Sequence, residues 1–183
     1  MIYASSGKNI GPAGICMAIV RDDLLGNARE SCPSIINWDK MAKSQPISNI
    51  YNTPPTYLLY MAQLFSQHYI DTYGSLHTLE ERAITRADKV YGAIDSSDGF
   101  FVNTVDPAFR SRMNAVFRIG NGDRAMEDKF CQHAEANGLY QLFGHPLMGG
   151  LRITLYNGVS DESVDAVIQF MKKFAQENRK DLK

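Results

Sequence analysis

An α/β fold is what this sequence predicts, and three observations predict it. Residues 100–178 alternate short strand-like runs with two amphipathic helical stretches in the order β-β-α-β-β-α. Two long helical stretches precede that block, and near the start two apolar runs of strand length flank a glycine-rich loop. The first order builds a two-layer α/β unit with mostly antiparallel pairing.

The elements follow in chain order. Residues 1–4 and 15–20 are the apolar runs, and the second is continuous rather than alternating, as in strands covered on both faces of a sheet. Residues 21–52 are polar and carry Trp38, the only tryptophan; a short helix near 22–28 and then an irregular connection are expected, with Trp38 packing. Thr53 before Pro54 and Pro55 predicts a helix start, because threonine caps and proline's fixed φ suits the first turn; the helix runs to Tyr73 and closes at Gly74. Leu76, Leu79, Ala83, Ala87, Val90 and Ile94 recur at three- and four-residue steps, the apolar stripe of a second helix. Two long helices in series predict a bridge between domains.

Strands are expected at 100–105 and 113–119, then a helix over 123–137 stopped by Gly138, strands at 139–143 and 151–156, and a last helix over 161–178. That helix has Ser160 as its N-cap and buries Val164, Val167, Ile168, Met171 and Phe174. The expected division is 1–52, 53–98 and 99–183. Two buried-type strands and an irregular loop cannot cover both faces of a sheet, so the first fifty residues predict partner strands and helices outside this sequence.

Composition narrows the function classes. With 19 Lys and Arg against 20 Asp and Glu, the formal charge of -1 offers no basic field for holding nucleic acid. The longest apolar run, 15–20, is far shorter than the roughly 20 residues a membrane span needs. The N-terminal residues have neither the charged start nor the apolar core of a secretory signal, which predicts a cytoplasmic protein. Cys16, Cys32 and Cys131 show no metal-ligand or disulfide spacing and are expected as buried or half-buried thiols.

Chemistry centres on Lys8, placed after a strand and beside Gly7, Gly11 and Gly14, which let backbone approach a bulky ligand. A lone lysine there reads as a solvated ammonium; a partly desolvated one forms Schiff bases. The run Lys8-Asn9-Ile10-Gly11-Pro12-Ala13-Gly14, an apolar strand, then Val20-Arg21-Asp22-Asp23-Leu24-Leu25-Gly26 resembles the lysine segment of phosphoserine aminotransferases. Asn52-Thr53-Pro54-Pro55-Thr56, Arg110-Ser111-Arg112-Met113-Asn114, and Gly149-Gly150-Leu151-Arg152 running into Leu155-Tyr156-Asn157 follow in the family's order. The resemblance covers the chain from its start to about residue 173.

That resemblance implies the C-terminal small α/β domain of a fold-type I aminotransferase together with the last strands of the large cofactor-binding domain. It implies pyridoxal 5'-phosphate on Lys8, which also shuttles the proton between Cα and the cofactor's C4′. Asn52 and Thr53 would reach the cofactor phosphate of a neighbouring subunit, making a homodimer part of the site. Arg152 would grip the substrate α-carboxylate and His145 would lie near the substrate phosphate. Taken without the family, Asn52-Thr53 reads as a helix cap, Arg152 as an ion-paired strand residue and His145 as a turn residue. Arg110 and Arg112 read as structural partners of carboxylates.

The implied reaction passes an amino group between glutamate and 3-phosphohydroxypyruvate, giving O-phosphoserine and 2-oxoglutarate. The sequence departs from the family at Gly7, where glutamine is usual, and at Pro146, where an arginine usually follows the histidine. The family's phosphate-cradling loop, stacked aromatic ring and acid for the pyridine nitrogen all precede the lysine and are absent here. The chain is therefore expected to be inactive alone and to need an N-terminal half or a full-length partner chain. Two alternatives stand beside it: an interaction module that dimerises with a full-length aminotransferase, and a related transaminase for alanine or serine, suggested by Pro146.

Overall fold

The computed structural model describes residues 1–182, which divide into two units, Met1–Gly74 and the residues from Ser75 onward. In the first unit, β1 (Ile2–Ser5) and β2 (Cys16–Ile19) pair antiparallel, Ile2 opposite Ile19 and Ser5 opposite Cys16. Their apolar side chains stand in the open, Ile2 at 69% and Ile19 at 68% exposure. The sequence called for cover from strands and helices outside it, and within the unit the continuous apolar run has none.

The helix expected near 22–28 is a single 3₁₀ turn, Asp22–Leu24, in which Arg21 is bound to Asp23 at 2.7 Å. Apolar residues at that point do not recur at helical spacing, so no packed face sustains a longer helix. A short helix, α1 (Trp38–Ala42), forms instead where an irregular connection was expected, because the Asn37 side chain accepts from Lys40 N and caps it. The long helix α2 (Thr56–Tyr73) begins three residues later than the predicted cap. Pro55 occupies the cap position without a side-chain bond, so Thr53 lies outside the helix rather than capping it. Gly74, at φ 72, ends α2 as predicted, its N–H returning to Ile70 O.

In the second unit, α3 (Leu76–Asp95) starts at Ser75, whose hydroxyl accepts from Thr78 N. Ala83, Ala87, Val90 and Ile94 of the predicted stripe are buried, whereas Leu76 at the helix start is open and Leu79 half-buried. β3 (Phe101–Val102), β4 (Asn114–Ile119), β5 (Phe143–His145) and β6 (Gly149–Thr154) form one antiparallel sheet in the order β3-β4-β6-β5. β5 sits later than the predicted 139–143, because Gln141 takes φ 63 and breaks the extended run. α4 (Arg124–Ala136) is capped by Asp123, and α5 (Asp161–Asn178) by Ser160.

One sheet face meets the helices. Ala115, Phe117 and Ile119 of β4 and Leu151 and Ile153 of β6 join Val90 and Ile94 of α3, Phe130 of α4 and Met171 and Phe174 of α5 in a single core. Phe130 makes edge-to-face contacts with Phe101, Phe117 and Phe174, the arrangement ring quadrupoles prefer. The alternation that buries these residues sends Asn114, Val116 and Arg118 of β4 to the opposite face with Arg152 and Thr154 of β6. Val116, 42% exposed, shows that this second face is uncovered within the chain.

Candidate active site

Lys8 stands at the tip of the β1–β2 connection, and its geometry comes from Ser6, a fully buried residue. Ser6 O accepts from Lys8 N at 2.6 Å and Gly11 N at 2.9 Å. Its hydroxyl donates to Pro12 O at 2.5 Å and accepts from Ile15 N at 3.2 Å. One serine thus ties both arms of the loop together and presents the exposed Lys8 side chain from a fixed backbone. Gly14, at φ 119, lies where an added Cβ would meet Leu58 Cδ1 of α2 at 2.6 Å, so glycine is needed for the loop to rest on that helix. At Gly7 an added Cβ would stand 3.2 Å from Ala13 Cβ, leaving little room for the larger residue usual in the resembled family.

Asn52 and Thr53 are exposed in the extended segment before α2. Their position leaves the side chains open to a neighbouring molecule, and no side-chain hydrogen bond engages either among the described residues.

In the second unit, Arg152 lies on β6 opposite Val116, and its N–H donates to Leu142 O at 2.9 Å. Its side-chain Nε is buried and has no acceptor among the described residues. Arg86 Nε is likewise buried without a hydrogen-bond acceptor, but it lies 3.9 Å from Asp161 Oδ1, whereas Arg152 forms no ion pair with a carboxylate among the described residues, so its guanidinium keeps donors for a carboxylate from outside the chain. Arg152 lines a groove of about 570 Å³ along the free part of β6, with Leu139, Gln141, Thr154, Tyr156 and Ser160.

His145 is exposed at the end of β5, directly opposite Gly149, and its Nδ1 accepts from Leu147 N at 3.2 Å. That bond leaves the proton of the neutral ring on Nε2, as a donor. Arg110 and Arg112 take the structural role the sequence suggested. Arg110 binds Asp95 through both nitrogens, at 2.6 and 2.9 Å, and lies over the Tyr91 ring at 4.8 Å. Arg112 binds Glu80 at 2.7 Å and holds its carboxyl below the usual carboxylate range.

Two groups of residues escaped the sequence reading. Arg86, 2% exposed, donates to the carbonyls of Leu155, Tyr156 and Val159 at 3.1, 3.3 and 2.7 Å and so fixes the turn after β6. Its place on the buried face between Ala83 and Val90 was the available signal, a charge on an apolar stripe. Arg118 and Glu127 form the other group, with Arg118 Nε 2.6 Å from an Oε1 whose side chain is 3% exposed. Cys131 is buried as expected and Cys32 half-buried, but Cys16 is exposed on the uncovered face of β2, which corrects the expectation for that thiol. Among the described residues no group of three His, Cys, Asp or Glu is arranged to hold a metal ion, and no helix is long and apolar enough to cross a membrane.

The geometry meets known proteins at this point. The family described as aminotransferase class-V matches residues 1–167. A phosphoserine aminotransferase of Ralstonia nicotianae is 42% identical over 95% of this chain and 44% of its own length. One of Haemophilus influenzae is 42% identical over 97% of this chain and 47% of its own. Among solved structures, the phosphoserine aminotransferase of Bacillus circulans subsp. alkalophilus superposes with a TM-score of 0.87 at 35% identity, over 96% of this chain and 47% of that one. A pyridoxal-phosphate-bound phosphoserine aminotransferase from Trichomonas vaginalis gives 0.83 at 35% identity, over 93% and 47%. The chain spans about half the length of the curated relatives it matches. Since the match runs from the lysine loop through the sheet that carries Arg152 and into α5, this α/β chain belongs to the class-V aminotransferases.

Proposed function

We propose that this chain is the C-terminal half of a pyridoxal-phosphate-dependent phosphoserine aminotransferase, which interconverts 3-phosphohydroxypyruvate plus glutamate with O-phosphoserine plus 2-oxoglutarate. The observation that carries the reading is the buried, acceptor-free Nε of Arg152 on β6. Its planar fork suits the substrate α-carboxylate, which would accept from Nε and a terminal nitrogen together.

The other roles are assigned residue by residue. Lys8 holds the cofactor's aldehyde and, once its amine is free, carries a proton to and from the substrate Cα. Gly11 and Gly14 let that loop lie against Ala62 and Leu58 of α2, which sets the backbone from which Lys8 projects. Asn52 and Thr53 serve the cofactor phosphate of a second subunit, so the working form is a homodimer. His145 supports the substrate phosphate through Nε2–H. The cofactor, when bound, supplies an electron sink for the charge that develops at Cα. A preceding half of the protein covers the bare faces of β1 and β2 and supplies the remaining walls, and the whole works in the cytoplasm, in serine biosynthesis. The domain division in this reading is a cofactor-domain remnant at 1–52, connecting helices at 53–98 and the small domain at 99–183.

The test is reconstitution. The chain is produced together with the N-terminal half of the Haemophilus influenzae relative, given pyridoxal phosphate, reduced with borohydride and mapped. A single adduct at Lys8, together with glutamate formation from 2-oxoglutarate and O-phosphoserine, is the expected result. Equal labelling of many lysines would favour the interaction-module reading, for which the half-length match is the supporting observation. A preference for alanine or serine over O-phosphoserine would favour the alternative that Pro146 suggests.

A further inference from the structure

Four glycines and two arginines meet at the turn between β5 and β6. Gly149 and Gly150 both take positive φ, 67 and 76, and at Gly150 an added Cβ would stand 2.7 Å from Arg118 Cδ. At Gly122 an added Cβ would stand 2.9 Å from Arg118 Nη2. The absence of side chains at these positions is what lets the Arg118 guanidinium lie across the turn. The Cβ point of Gly149 is 3.4 Å from Arg124 Nη1 and 4.0 Å from Arg118 Nη1, so two cationic nitrogens close on one spot. That spot is directly across the ladder from His145. Gly144, beside His145, packs against the Gly149 and Gly150 carbonyls and holds the turn closed.

The donors are available. Of the five N–H groups of a guanidinium, Arg118 gives Nε to Glu127 at 2.6 Å and one Nη1 hydrogen to Met148 O at 3.5 Å, and the others have no acceptor among the described residues. Glu127, buried on α4, fixes the orientation of Arg118 while leaving its terminal nitrogens toward the turn. Arg124, on the first turn of α4, has only a 3.3 Å contact with Asp128 on an exposed helix face, a pair that solvent screens and a ligand displaces readily. Pro146, next to His145, brings no charge of its own. Arg118 also leaves β4 on the same face as Val116, which is opposite Arg152.

We infer that Arg118 and Arg124 together bind the phosphate of a phosphomonoester amino acid and determine specificity for it, beside His145. Two guanidiniums offering parallel donors to one point match a tetrahedral dianion, and a monoanionic or neutral side chain at the same place would leave them unmatched. This assignment rests on the transaminase reading for the identity of the substrate, but the binding site itself stands on the geometry of the turn.

The experiment titrates inorganic phosphate into the 183-residue chain, with chloride matched for ionic strength, and follows the arginine Nε–H signals by NMR. Saturable shifts are expected at Arg118 and Arg124, and the signal of Arg112, ion-paired to Glu80, is expected to stay still. Arg124→Gln removes an exposed cation and is expected to weaken phosphate binding about tenfold, the worth of one charge-assisted contact. Because Arg118→Gln alone would strand Glu127, the double variant Arg118→Gln with Glu127→Gln keeps the pair neutral and is expected to weaken binding by at least as much. In the same titration O-phospho-L-serine should reproduce the shifts and L-serine should not. Shifts that fail to saturate, that spread equally over all arginines, or whose half-saturating phosphate concentration is unchanged in Arg124→Gln would overturn the assignment. Failure of Lys8 labelling in the reconstituted protein with phosphate binding intact would defeat the transaminase reading and leave this site standing; the reverse result would remove this site alone.

Discussion

Cys131 lies on the buried side of α4 with 1% exposure, and burial, helped by the carboxylates of Asp128 and Glu135, pushes its thiol up to about 11 from an ordinary value of 9.0. A raised thiol pKa means the folded protein keeps a proton that the unfolded chain releases, so this contribution to stability is complete below about pH 9 and is lost as pH rises through about 11. Iodoacetamide at pH 8 should therefore modify Cys16 and Cys32 rapidly and spare Cys131 until the chain is unfolded, which peptide mass mapping can check. Labelling of Cys131 at a rate equal to Cys16 would show that α4 does not pack as described. Gly144 poses a steric rather than an electrostatic demand, since an added Cβ would strike the Gly149 carbonyl oxygen and crowd that of Gly150. Gly144→Ala should lower stability by about 2 kcal/mol, read as a shifted urea midpoint with unchanged m. It should also weaken phosphate binding, because the turn carrying His145 must open to admit the methyl.

Arg86 connects elements rather than residues, joining α3 to the turn between β6 and α5 through three carbonyls. Arg86→Lys keeps the charge but replaces a planar fork with a single ammonium that cannot reach three acceptors at once. A loss of about 3 kcal/mol is expected, with the fall in thermal midpoint as the measurement. An unchanged midpoint would mean the turn is held by Arg82, which donates to Asn157 O and Val159 O at 3.2 and 2.9 Å. The contrast between α5 and Arg86 shows where sequence is readable. α5 announces itself by Ser160, an acidic first turn and an apolar stripe at helical spacing, and each of these acts over a few residues. The partners of Arg86 lie some seventy residues away, and nothing local to its helix names them. The candidate site divides in the same way. Lys8 and Arg152 sit in motifs that carry the family resemblance, which is what suggests roles for them, whereas the meeting of Arg118 with Arg124 depends on glycine conformations and on strand register. The two apolar runs of the first unit were legible as strands, yet the cover they call for is supplied by nothing among the described residues.

At the scale of the whole chain, the two units are held by different amounts of buried surface. The second contains the apolar core found among the described residues, with side chains from α3, α4, α5 and the four-stranded sheet. In the first, α2 has no buried residue over its 18 positions, and the sheet is one two-stranded hairpin. A lone hairpin is marginal in water, and a helix that is only half-buried on the side facing the Lys8 loop gains little beyond its weak intrinsic propensity. Local stability follows buried contacts, so the two units should open at different free energies. Hydrogen exchange should find the amides of β1, β2 and α2 exchanging within seconds to minutes, while those of β4, β6 and α5 approach the protection set by global unfolding. Brief proteolysis should then leave a resistant fragment beginning near Ser75. Supplying the N-terminal half of a relative should slow exchange in β1, β2 and α2, because the exposed Ile2, Tyr3, Met17 and Ile19 gain the cover their apolar surface demands. Uniform protection across both units in the chain alone would show that the hairpin and α2 are stable without added cover, and would remove the physical reason for placing a missing half against them.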